Sequence, residues 1–185
     1  ASDVYKRQVI VSATASGDVT PSLVELTKEL DRDDGEVVTG PNFPVTYTIT
    51  LSAATGERLG ISDGGTGGIN DVTVTDTLPT NFILDTTFGG GDGILVSGAG
   101  AANVISEAVV GSDVVVVADF IDGTGGNDLV VQVRGHYEDA TVDDVAAPDN
   151  TQRVNEAKVE TGVDPDGAGA LPFAALDHGV DAVGV

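Results

Sequence analysis

Few side chains in this sequence could do chemistry. His136 and His178 are the only imidazoles, and there is no cysteine. Thiol nucleophiles, thiolate metal sites and disulfides are therefore excluded. No HExxH or GxSxG motif occurs, and the glycine-rich loops lack the GK[ST] ending of a phosphate cradle. His136 falls on the polar side of a strand pattern, which points to a surface or cross-strand role rather than catalysis. Acidic residues are so numerous, 30 Asp and Glu against 8 Lys and Arg, that no carboxylate pair stands out as a general acid and base.

Two other chemistries fit the residue types. A lysine, an Asn or Asp, and an acid held together in an apolar core can condense into an internal isopeptide bond. Lys28, Asn155 and Glu156 are the plausible trio, with Lys158 as an alternate amine. The ordinary reading is a lysine on an edge strand with its ammonium in solvent. The second chemistry is calcium binding, which wants carboxylate, amide and carbonyl oxygens. DGTGGND offers Asp122, Asn127 and Asp128, and SDGGTGGIND offers Asp63, Asn70 and Asp71. Neither has EF-hand spacing, and Asp and Gly are also ordinary turn formers. Calcium is the one cofactor these residues suggest.

The elements that must carry these groups are strands. In VTYTITL, Val45, Tyr47, Ile49 and Leu51 share one face, and Thr46, Thr48 and Thr50 the other. That period of two, in β-branched residues, predicts a half-buried strand. Val72 to Thr75 repeats it. Leu129, Val131, Val133 and Tyr137 alternate with Val130, Gln132, Arg134 and His136; Asn155, Ala157 and Val159 alternate with Val154, Glu156 and Lys158. Val114 to Val117 is a continuous apolar run, which predicts a strand buried on both faces. Leu23, Leu26 and Leu30 have helical spacing, but Ser22 to Leu30 reads better as an opening edge strand. Glycine- and aspartate-rich turns separate the runs, at Gly40 to Asn42, Asp63 to Gly68, Gly89 to Gly93, Asp122 to Asp128 and Asp164 to Gly167. Many short strands with such turns predict an all-β sandwich or barrel.

The formal net charge is -22. Such a surface repels nucleic-acid phosphates and anionic lipid headgroups. No run approaches the roughly 20 apolar residues of a membrane span. The hydrophobic fraction, 41%, is too high for an acidic disordered chain. Ala1 to Gln8, ASDVYKRQ, resembles a translated adapter remnant.

SLVELTKELD (Ser22 to Asp31), PVTYTITL (Pro44 to Leu51), DVTVTDTLP (Asp71 to Pro79) and VNEAKVE (Val154 to Glu160) together resemble the DUF11 repeat family. Those are Ig-like modules of bacterial and archaeal surface proteins, with these blocks in this order. The resemblance covers roughly residues 22–163. It departs from the family in the longer insertion SAATGERLGISDGGTGG, and Phe88 to Gly111 matches loosely. It implies an Ig-like β-sandwich, a cell-surface or extracellular location, a structural role and no catalytic residues. The blocks also have local reasons: Pro79 ends strand pairing, Asp76 is suited to cap the following turn, and Asn155 is placed to satisfy buried backbone groups.

Residues 22–185 thus read as one sandwich domain, and residues 1–21 as an N-terminal extension. QVIVSATAS (Gln8 to Ser16) carries no charge in a very acidic chain. Val9, Val11, Ala13 and Ala15 share one face, with Ile10 on the other. A strand outside the module needs a partner edge. The sequence therefore predicts a non-enzymatic subunit of an extracellular filament. Val9, Ile10, Val11, Ala13 and Ala15 form the candidate donor strand, and the partner is a second copy of the chain. The alternative is one repeat of a long surface adhesin or S-layer-like protein. The apolar Ala170 to Val185 is suited to complete an edge strand or a junction.

Overall fold

The computed structural model describes residues 24–32, 45–80, 82–123, 128–137, 153–164 and 175–184. The donor-strand residues Val9 to Ala15 and the loop residue Asn127 lie outside them. The described residues form twelve strands: β1 (Val24–Arg32), β2 (Val45–Ala53), β3 (Arg58–Gly60), β4 (Val72–Thr77), β5 (Phe82–Leu84), β6 (Ile94–Ser97), β7 (Val104–Val110), β8 (Asp113–Ala118), β9 (Phe120–Asp122), β10 (Leu129–Tyr137), β11 (Arg153–Asp164) and β12 (Ala175–Gly184). Two 3-10 turns, Gly68–Asn70 and Ala99–Asn103, interrupt them.

The strands build two antiparallel sheets. One runs β1-β2-β10-β5, with β6 also on β10; the other runs β7-β8-β4-β11-β3-β9, with β12 on β11. The protein is an all-β sandwich. The period-two runs explain which faces meet. Val24 and Leu26 of β1, Tyr47, Ile49 and Leu51 of β2, and Leu129, Val131 and Val133 of β10 are buried on the first sheet. Val72 and Val74 of β4, Val114, Val116 and Ala118 of β8, and Ala157 and Val159 of β11 are buried on the second. Each fully buried Val, Leu or Ile contributes about 1.5–3 kcal/mol by leaving water. A slip of one residue would turn a whole row outward, so burial fixes the register.

Three expectations are corrected. β8 is not buried on both faces: Val114 and Val116 are buried, whereas Val115 and Val117 are only half-buried. One face of β8 meets the core, and no second layer covers the other among the described residues. Asp76 does not cap a turn, and Asn155 bonds a side chain rather than backbone; both lie inside the sandwich. Their strands put them on the inward rows, Asp76 in phase with Val72 and Val74, Asn155 in phase with Ala157 and Val159.

At one point neighbouring segments of the same sheet come closer than a side chain allows. Gly135 lies on the inward row of β10. A Cβ there would sit 2.2 Å from the carbonyl oxygen of Ile83 and 2.7 Å from the Phe82 ring. That bare backbone gives Phe82 room beside β10, where β5 pairs in the same sheet, and the Phe82 ring rests against Tyr47 with ring centroids 5.6 Å apart.

Candidate functional site

The inward row of β1 runs Val24, Leu26, Lys28. The strand period that buries the two apolar residues also drives the lysine into the core. The Lys28 side chain is 0% exposed, although its backbone is not fully covered. Its Nζ donates to Oδ1 of Asp76, itself 1% exposed, and lies 5.1 Å from the centre of the Tyr47 ring. On the other oxygen of the same carboxylate, Asn155 Nδ2 donates to Oδ2 at a long 3.4 Å. Asn155 is 0% exposed, and its Oδ1 has no hydrogen-bond partner among the described residues. An amine, a carboxyl and a carboxamide thus meet in the core, supplied by three strands from both sheets.

Burial pushes the Asp76 carboxyl up from its ordinary value; the Lys28 charge and the hydrogen bonds from Lys28 and Asn155 pull it only part of the way back. A charge pair taken out of water pays several kcal/mol per ion, which mutual attraction repays only with good geometry. Moving one proton from Lys28 to Asp76 turns the pair into a neutral amine and a neutral acid. The neutral pair escapes the desolvation penalty that burial places on both charges.

The structure brings Lys28 and Asn155 of the expected trio to one carboxylate, and that carboxylate is Asp76 rather than Glu156. Glu156 is exposed on the outer face of β11, because adjacent residues of a strand point to opposite sides. The alternate amine Lys158 is also solvent-facing and pairs with Glu160 at 3.1 Å. The signal for Asp76 was available: a charged residue in phase with Val72, Val74 and Leu78 has to find a buried partner.

A second cluster gathers at one end of the sandwich. Asp63, Asp71 and Asp119 each place a carboxylate oxygen within 4.8 Å of the others. Asp119 Oδ1 accepts the backbone N–H groups of Asp63, Gly64 and Gly65, each at 3.1 Å. Gly64 and Gly65 have φ of 83° and 79°, which lets consecutive N–H groups converge on one anion. Asp63 accepts from Gly65 and Thr66 backbone, from the Thr66 hydroxyl at 2.6 Å and from Asn70 Nδ2 at 3.0 Å. The Thr66 hydroxyl bond, above all, holds the Asp63 carboxyl below its ordinary value. Asp71 is 4% exposed and one of its oxygens has no partner. Burial first, then the charges of Asp63 and Asp119, push its carboxyl up against a hydrogen bond from Gly67.

Three carboxylates this close form an oxygen donor set of the kind a hard cation such as Ca²⁺ takes. Of the expected trio Asp63, Asn70 and Asp71, Asn70 donates to Asp63 and Thr66 through its amide nitrogen. Asp119, arriving from the β8–β9 junction, was not legible in the sequence. Of the other expected trio, Asn127 lies outside the described residues, and the Asp122 carboxylate pairs with Arg58 at 3.4 Å.

No protein-family model matches the chain, and comparison with curated proteins finds no significant match.

Proposed function

We propose that this chain is a structural subunit of an extracellular filament, built by β-strand addition between identical chains. The observation that carries this reading is the edge at β7, which pairs only with β8 among the described residues. This strand ends the order of the second sheet, and Ser106 to Val110 are all exposed. Ile105, Val109 and Val110 present 48%, 42% and 62% of their surface to solvent. Natural edge strands are usually blunted by lysine, proline or inward charge. Here the sequence VISEAVV has one glutamate and neither lysine nor proline. A row of free backbone groups beside apolar side chains is the surface that strand addition uses.

The occupant proposed is the Gln8 to Ser16 segment of a second copy. Its uncharged, alternating, β-branched sequence suits an apolar edge, and its nine residues match the length of a seven-residue strand. Donation from one copy to the next is head-to-tail and yields an open filament. The four blocks that resemble those of DUF11 modules agree with a surface structural role, and a charge of -22 keeps the exposed flanks of neighbouring filaments apart.

Electron microscopy and sedimentation test the proposal. The intact chain should form filaments. Deletion of residues 4–16 and the edge substitution Val109→Lys should each abolish them while leaving folded monomer. An intact chain that stays monodisperse, or a truncated chain that polymerises normally, overturns the proposal. A monodisperse chain would favour the arrangement as one module of a longer surface protein.

A further inference from the structure

The geometry points to an autocatalytic cross-link in the core: Lys28 Nζ condenses with the Asn155 side chain to form an isopeptide bond, with Asp76 as the proton shuttle. The inference stands apart from the filament reading, since it concerns a single chain.

The three groups are already in contact order. Asp76 receives the amine on one oxygen and the carboxamide on the other. Amine and amide are therefore neighbours across one carboxyl group, and all three side chains are at most 1% exposed. In solution an amine does not displace ammonia from an amide at a useful rate. Three obstacles stand in the way: the amine is protonated, the amide carbonyl is unactivated and the encounter is rare. The core removes each. Desolvation and the adjacent carboxyl allow Lys28 to give up its proton. Fixed strands hold the partners together, which is the largest entropic part of such a barrier. A half-turn of the Asn155 carboxamide brings its unpartnered Oδ1 against the protonated Asp76, which then polarises the carbonyl.

The step balances without any outside reagent. The lone pair of neutral Lys28 Nζ attacks Asn155 Cγ, and a new C–N bond forms. Asp76, now the neutral acid carrying the proton that Lys28 gave up, delivers that proton to the departing Nδ2 and takes one from the attacking nitrogen. The Cγ–Nδ2 bond breaks, ammonia leaves, and Asp76 is again the neutral acid. The product is a neutral secondary amide in place of a buried charge pair, so the desolvation cost of the two ions disappears. Burial of the Asp76 carboxyl, which pushes it up, keeps the proton available for both transfers.

The position of the bond has a mechanical consequence. Lys28 sits on β1 of one sheet and Asn155 on β11 of the other. The bond would stitch the two sheets through the core, and tension applied outside Lys28 and Asn155 would bypass the chain between them. Glu156 and Lys158, on the outer face, take no part.

Intact-mass spectrometry of the folded full-length chain is the test. The native chain should weigh one ammonia less than its sequence mass. Trypsin should fail to cleave after Lys28, and a peptide joining Lys28 to Asn155 should be recovered. Lys28→Arg, Asn155→Ala and Asp76→Ala should each restore the full sequence mass. Glu156→Gln and Lys158→Arg should keep the lighter mass. A native chain at its full sequence mass, folded by circular dichroism, overturns the inference without reference to any variant. So does a lighter mass that survives Asn155→Ala, or a linked peptide containing Lys158.

Discussion

Asn155→Ala separates a core held by a covalent bond from one held by an ion pair. The substitution leaves Lys28 and Asp76 in place, so their contact survives in either case. If only non-covalent contacts are present, the loss is one long 3.4 Å hydrogen bond and a small volume of side chain. That is worth about 1 kcal/mol, or roughly 2–4 °C in melting temperature for a chain of this size. If Lys28 and Asn155 are joined, the substitution reopens a loop of about 130 residues in the unfolded chain. The chain-entropy relation for a cross-link of that span gives about 5 kcal/mol. The melting temperature should then fall by roughly 10–20 °C. Calorimetric melts of the native chain, Asn155→Ala and Lys28→Met at one pH read the difference. Lys28→Met fills the same space and should match Asn155→Ala, because both lose the same loop constraint. A drop of under about 4 °C for Asn155→Ala would refute the reasoning, since no loop of that length can be released so cheaply.

Other parts of the structure give sharp expectations. Asp71 has a raised carboxyl, so the folded chain binds its proton more tightly than the unfolded chain does. Stability should therefore fall as pH rises above the unfolded value near 3.8. In chelator, Asp71→Asn should flatten that fall, as read by urea midpoints from pH 3.5 upward. Asp63 and Asp85 are shifted the other way, chiefly by hydrogen bonds from Thr66 and Thr87. Their contribution is present above the unfolded value and is lost as pH falls below it, so Thr87→Val should reduce acid sensitivity while lowering neutral-pH stability. Asp119→Ala should release the Asp63 to Gly65 amides, seen as faster hydrogen exchange confined to that loop. Titrating Ca²⁺ into the chelated native chain should give heat and an upward melting shift that Asp71→Asn removes; absence of both would mark the Asp63–Asp71–Asp119 cluster as a hydrogen-bonded loop. Gly135→Ala should cost about 1–3 kcal/mol by overpacking, whereas Gly90→Ala, where a Cβ meets nothing within 4 Å, should be neutral or slightly stabilising in the same melts.

The fold was largely written in the spacing of apolar residues. VTYTITL became β2 with Val45, Tyr47, Ile49 and Leu51 inside, and the Leu129 and Asn155 runs became β10 and β11 with the expected faces buried. A period of two reports directly on which side of a sheet a residue occupies, so it carries over from sequence to structure. The short strands β3, β5, β6 and β9 were not legible, since three or four residues hold too little periodicity to stand out. β7 was missed for another reason: its row faces solvent, so no burial pattern marks it.

Chemistry was legible only as far as residue type and strand phase reach. The sequence alone singled out Lys28 and Asn155 as an amine and an amide to weigh together, and its phase rule placed Asn155 on an inward row; the burial of Lys28 came from the structure. The sequence chose Glu156 because nearness along the chain stood in for nearness in space. Only the tertiary structure decided that Asp76, 79 residues away from Asn155 along the chain, is the acid between them. The same holds for Asp119, which joins Asp63 from 56 residues away. The physical reason is common to both. Strand period fixes the direction in which a side chain points, but sheet order and the packing of one sheet on the other fix what it meets there.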